Sequence, residues 1–212
     1  MSLTPLLLIH KRKPSGRQAS WVYMVAAHAG ALCLIVFFLS LGLTAGSSDF
    51  AAFRHLSLSP FKANALFVLA LVGFGIKAGL IPLHIWLPEA HPAAPSHVSA
   101  LMSAVMIKLG VYGLLRVLSF IGPIQLWWGW LLLGLGLTSA LLGALNASLQ
   151  TDLKRLLAYC SIENVGVIVS GLGLGLIGIC LKSPTMTILG LAGALIHVIN
   201  HALLKAGLFM GA

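Results

Sequence analysis

The 212-residue chain is 59% hydrophobic and only 8% charged, and its mean hydropathy is +1.02. A soluble domain carries about a quarter charged residues, so this composition excludes that class and points to an integral membrane protein. Its net charge of +9 is scattered along the chain with no aromatic-basic patch, which argues against nucleic acid as a partner.

A helix needs roughly 20 apolar residues to cross a hydrocarbon core of about 30 Å, and the short alternating segments of a membrane β-barrel are absent. The opening apolar run, Met1 to Ile9, is followed by the basic cluster Lys11, Arg12, Lys13 and Arg17. That order is the reverse of a secretory signal. At about 14 Å the run is half a membrane long, and reads as the tail of a span that begins earlier. Full spans are expected from about Trp21 to Leu43, Ala63 to Leu83 and Ser96 to Leu118. Between the last two, Pro82, Pro88, Pro92 and Pro95 are expected to exclude regular helix. Trp127, Trp128 and Trp130 read as an interfacial aromatic belt opening a span that ends near Leu149. The polar stretch Asp152 to Arg155 leads into a glycine-rich span ending near Cys180, and a sixth span starts near Pro184. The expected fold is all-α and polytopic: about six full transmembrane helices plus a partial one, in a single transmembrane domain over 1–212. With the first basic loop on the cytoplasmic side, residues 11, 12, 13, 17, 154 and 155 lie inside and 54, 62, 116 and 182 outside, a modest positive-inside excess.

Three lysines fall inside apolar spans: Lys77, Lys108 and Lys205. A lysine in hydrocarbon costs about 3 kcal/mol or more, so it usually lines an internal path or handles charge. Lys77 sits among Gly73, Gly75, Gly79 and Pro82, where a missing proline N–H would leave the Ala78 carbonyl unpaired and interrupt the helix between Gly75 and Pro82. Snorkelling to the interface is the alternative for Lys77. Lys108 lies about 18 Å into its span, a depth from which snorkelling is difficult. An ammonium stripped of water releases its proton more readily than one at the surface, which suits a carrier. His197, His201 and Lys205 recur every fourth residue along one helix face, a ladder suited to proton hopping. Satisfied structural histidines are the plainer reading of the first two. Glu163 is either a proton-uptake carboxylate or an interfacial partner of Lys154 or Arg155. His84, His91 and His97 are expected to bond backbone freed by the prolines. Cys33, Cys160 and Cys180 form no C-x-x-C, so no disulfide framework or metal site is expected. The chain also shows no ligand set for haem, iron–sulfur, flavin or nickel, so no cofactor and no catalytic residue of its own are expected.

The strings GFGIKAGLIPLHIWLPEAHPAAPSHVSALMSAVMIKLGVYGLLR, TDLKRLLAYCSIENVG and HVINHALLKAGLFMGA occur in that order and cover most of the chain. They resemble three signatures of the antiporter-like membrane subunits: the proton-pumping subunits of complex I, Mrp antiporters and the membrane arm of group 4 hydrogenases. S-I-E-N and H-x-x-N-H-A-L-x-K are most similar to the formate hydrogenlyase and hydrogenase 4 members. The resemblance implies inverted five-helix repeats with broken helices at mid-membrane. Lys77 matches the lysine on the first broken helix, Lys108 matches the central lysine, and His197, His201 and Lys205 match the region of the second. The glutamate that the family carries on the preceding helix has no counterpart here, so the chain reads as an internal fragment of a protein of roughly fourteen helices. On this resemblance the chain is a proton-translocating, non-redox subunit of an oxidoreductase complex. It would be multi-pass in the inner (cytoplasmic) membrane, with other membrane and peripheral subunits and the lipid bilayer as partners. A structural anchor, a non-functional remnant and an Mrp-type cation/proton antiporter subunit are the alternatives.

Overall fold

A computed structural model describes residues 14–54 and 56–212. The partial first helix and Lys11 to Lys13 lie outside the described residues. Eight helices follow: α1 (Pro14–Ala45), α2 (Phe50–Phe53), α3 (Pro60–Ala78), α4 (Trp86–Ala93), α5 (Ser96–Leu118), α6 (Leu126–Ser148), α7 (Leu153–Cys180) and α8 (Pro184–Met210). Of these, α1, α3, α5, α6, α7 and α8 are long and apolar enough to span a membrane. Helix α1 starts earlier than the loop charges implied, so Arg17 and Ser20 belong to the helix.

The spans form two three-helix groups. In one, α1 and the second half of α5 flank α3; in the other, α6 and α8 flank α7. Short α4 packs on both α1 and α7, and α8 packs against the first half of α5, which ties the groups together. Helix α6 meets α7 through glycines seven residues apart, at 129, 136 and 143 on one side and at 166 and 173 on the other. A repeat of seven keeps one face of each helix towards its neighbour.

Helix α3 shows how local sequence sets its own ends. Ser59 caps it by accepting from the Lys62 N–H, and Pro60 occupies the first helical position, where no N–H is needed. Gly79 ends it in the left-handed region at φ 74°. The Gly79 N–H bonds Ile76 O at 3.2 Å and the Leu80 N–H bonds Gly75 O at 3.0 Å, the pairing of a Schellman cap. The interruption thus falls inside the expected window, but its cause is Gly79; the helix has already ended before the missing N–H of Pro82 matters.

Two expectations are corrected. The prolines do not exclude helix: α4 forms because Pro88 lies in its first turn, where N–H groups have no helical partner anyway, and Pro92 falls in its last. Trp128 is not part of an exposed belt. It is fully buried, stacks on Phe67 at 4.6 Å, and donates its indole N–H to Asn64 Oδ1 at 2.9 Å. Trp127 and Trp130 do remain exposed.

Candidate functional site

Helix α8 turns His201 and Lys205 inward, while Asn200 on the same helix is exposed. Its buried positions are Gly190, Ala194, His201, Lys205 and Phe209, while Ile188, Leu195, Ile199, Leu203 and Leu208 are exposed. That pattern fits a helix whose outer face meets lipid and whose inner face serves an internal polar site. The helix runs unbroken across His197, His201 and Lys205, so no interruption falls at these residues.

Facing it, α5 contains a widened π-helical turn at Met102–Met106, just before Lys108. In such a turn the backbone bonds run from residue i to i+5. Residues five apart are therefore neighbours, and the Lys108 ammonium donates to the carbonyl oxygen of Ser103. Lys108 is 8% exposed, Lys205 3%, and Ser103, Ser161 and His91 not at all.

Helix α7 supplies the connection between α5 and α8. The Ser103 and Ser161 hydroxyl oxygens lie 2.9 Å apart. Ser161 Oγ donates to the Leu157 carbonyl at 2.9 Å, and Lys205 Nζ donates to the same carbonyl at 2.9 Å. Lys108 and Lys205 come within electrostatic reach of each other. Glu163, half-buried on α7, attracts Lys205. It does not pair with Lys154 or Arg155, as one reading had it: Lys154 bonds the Ala94 carbonyl at 3.1 Å, and Arg155 meets Glu89 at 2.7 Å.

The two histidines of the ladder have distinct settings. His197 Nε2 is 2.9 Å from Asn164 Oδ1. Buried His201 stacks nearly parallel to it, with ring centroids 6.4 Å apart, and neither of its nitrogens has a hydrogen-bond partner among the described residues. Lys77 stands apart from this network. It lies exposed in the last turn of α3 and lines a cavity of about 480 Å³ with Tyr23, His28, Trp86 and Met106.

Sequence reasoning missed Ser103, Ser161 and Asn164, small polar residues that look like ordinary helix-packing positions. It also misplaced His91. That ring is fully buried, stacks on Phe209 at 4.6 Å, and has no hydrogen-bond partner at either nitrogen among the described residues. Burial pushes its pKa down to about 3, and the charges of Lys205, Lys108 and Lys154 push the same way. Buried His84 Nδ1 likewise has no hydrogen-bond partner among the described residues, and burial lowers the pKa of this ring, an effect that the nearby Pro82 backbone only partly offsets.

Known proteins share this sequence and fold. All of residues 1–212 match the family described as NADH:quinone oxidoreductase/Mrp antiporter, transmembrane. The chain is 50% identical, over its whole length, to hydrogenase-4 component B of Escherichia coli, and covers 32% of that protein. It is 46% identical to formate hydrogenlyase subunit 3 of the same organism over 69% of the chain, covering 24% of that protein. A solved Mrp complex from Dietzia superposes on 98% of the chain with a TM-score of 0.84 at 32% identity, and the chain covers 22% of the matched protein. The chain thus spans about a third or less of these relatives. Matched over all of its residues, and with six helices among the described residues long and apolar enough to span a membrane, the chain belongs to the NADH:quinone oxidoreductase/Mrp antiporter transmembrane family.

Proposed function

We propose that this chain forms part of a proton-translocating subunit in the inner membrane. Its parent assembly would be a hydrogenase or quinone-type oxidoreductase complex, as the names of its hydrogenase-4 and formate hydrogenlyase relatives support. Lys77, Lys108, His197, His201, Lys205 and Glu163 are the residues proposed to carry the protons, with redox chemistry left to partner subunits.

The observation that carries this reading is the convergence of two buried lysines from different helices on one polar cluster: Lys108 bonds Ser103 O, Lys205 bonds Leu157 O, and the Ser103 and Ser161 hydroxyl oxygens between them lie 2.9 Å apart. A buried charge without an opposite partner is costly and is retained where it has a task. Repulsion between two ammonium ions makes the charge on one depend on the charge on the other. A proton arriving at one site therefore alters the cost of holding the next. Glu163 offers a carboxylate near Lys205, and buried His201 offers an exchangeable group one turn before it.

The test is Lys108→Ala in the full-length protein within its native membrane complex, followed by proton uptake into inverted vesicles. Uptake is expected to be abolished while the complex still assembles. Lys108→Arg should also impair it, because a guanidinium keeps its proton at working pH. Normal uptake by Lys108→Ala would make the structural-anchor reading the better one.

A further inference from the structure

Two hydroxyls lie between the backbone carbonyls that the lysines bond, and they have an orientation. Ser161 gives its own proton to the Leu157 carbonyl, so its oxygen is left as the acceptor in the 2.9 Å contact with Ser103. The resting order of donation is therefore Ser103 to Ser161 to Leu157. The carbonyls at the two ends are those the lysines use: Lys108 bonds Ser103 O, and Lys205 shares Leu157 O with Ser161. Because Ser161 Oγ and Lys205 Nζ each lie 2.9 Å from that one oxygen, they are within twice that distance of each other.

A serine bonding back to the carbonyl four residues earlier is common in helices, and a serine pair often simply joins two helices. Neither accounts for a lysine at each end of the chain. We propose that the Ser103 and Ser161 hydroxyls are the relay through which a proton passes from Lys108 to Lys205, an inference that rests on the proton-carrying reading above. Lys108 turns one N–H from the Ser103 carbonyl to Ser103 Oγ, breaks that N–H bond and gives the proton to the hydroxyl. Ser103 passes its original hydroxyl proton to Ser161 Oγ, and Ser161 passes its own to the lone pair of a neutral Lys205 amine. One proton leaves Lys108, one arrives at Lys205, and both hydroxyls are restored. The amine can keep one N–H on the Leu157 carbonyl while it accepts. Transfer in this direction keeps the resting Ser103 orientation and needs the Ser161 hydroxyl to swing from the Leu157 carbonyl to the amine; the reverse requires both hydroxyls to turn.

The experiment uses the full-length protein in its complex and compares Ser103→Ala, Ser161→Ala, the double variant, Ser161→Thr and Lys108→Ala. Uptake into inverted vesicles is measured beside assembly on native gels. Each alanine should slow uptake about a hundredfold or more, the low end for loss of a positioned proton-transfer group. The double variant should be no worse than the slower single one, because the hydroxyls act in series. Threonine at 161 keeps the hydroxyl and should restore most of the rate, which a purely space-filling role for Ser161 does not predict. Assembled alanine variants that translocate at the wild-type rate would overturn the relay; if Lys108→Ala is dead in the same preparation, the pathway reading survives. Normal uptake by Lys108→Ala would instead remove that reading. Should an alanine variant fail to assemble, Ser161→Cys, similar in size but a weak donor, takes its place, and a wild-type rate there overturns the relay as well.

Discussion

Placing a methyl group on Gly166 should force α6 and α7 apart. A Cβ built at this position would lie 2.4 Å from the Ala140 nitrogen and 2.6 Å from the Gly136 carbonyl oxygen, both backbone atoms. Neither can swing aside as a side-chain tip would. The reciprocal position is as tight, since a Cβ on Gly136 would lie 2.5 Å from the Ser170 nitrogen. Ordinary contact with carbon needs about 3.5 Å, so the helices must separate by about 1 Å, and packing on both sides of the contact thins. Overpacking of this kind costs about 1–3 kcal/mol. Each kcal/mol lowers the melting midpoint by about 2–4 °C in a domain of 150–250 residues, and by less in a longer protein. Gly166→Ala in the detergent-solubilised full-length protein, followed by thermal unfolding, reads this directly. Gly134→Ala and Gly193→Ala are the internal controls, because nothing lies within 4 Å of a Cβ at either position. There alanine should be neutral or stabilising by up to about 1 kcal/mol through helix propensity. Should Gly166→Ala melt with the wild type, or with the Gly134→Ala control, the close approach of these backbones is not what holds the pair together.

Two other outcomes are expected. The Arg155–Glu89 pair joins α7 to α4, but its side chains are 43% and 34% exposed. Glu89→Gln should therefore cost no more than about 1 kcal/mol, and the loss should shrink in high salt; failure of the complex to assemble would contradict this. His91 is held neutral in the folded chain, with its pKa down at about 3 against 6.5 when unfolded. The unfolded state then binds the extra proton, so its contribution is intact above pH 6.5 and is lost as the pH falls from there towards 3. The slope is up to about 1.4 kcal/mol per pH unit. His91→Gln should flatten the dependence of the melting midpoint on pH between pH 6.5 and 5, and an unchanged slope would identify another group as the origin.

The spans were legible because hydrocarbon imposes length and apolarity on each helix separately, and neither property depends on tertiary partners. Local punctuation was legible for the same reason: Gly79 and Pro82 mark the end of α3 within a few residues. The depth of Lys108 could be counted along the chain. What could not be counted was direction. Trp128 looked interfacial beside its two neighbours, yet Asn64 and Phe67 on another helix draw it inward. Ser103 and Ser161 lie 58 residues apart, and a serine in an apolar helix gives no sign of which other serine it will meet. The π turn has no sequence signature in Met102–Met106, a run that any α-helix would accept. His91 sat in a proline-rich stretch that seemed to promise spare carbonyls, and the helix that formed there took them back.

That π turn also makes residue count within α5 a variable the fold can absorb. A turn with one residue too many can revert to regular helix by losing one. Deletion of a single residue between Met102 and Met106 would leave a helix of ordinary pitch, still apolar and still long enough to cross the bilayer. Everything after the deletion would keep about its present direction, because the wide turn takes up the residue that is lost. Regular winding at unchanged length would instead rotate the side chain at 108 by about 100°, away from the Ser103 carbonyl and from α7. Among related sequences, a gap one residue wide at this point should therefore be compatible with the lysine.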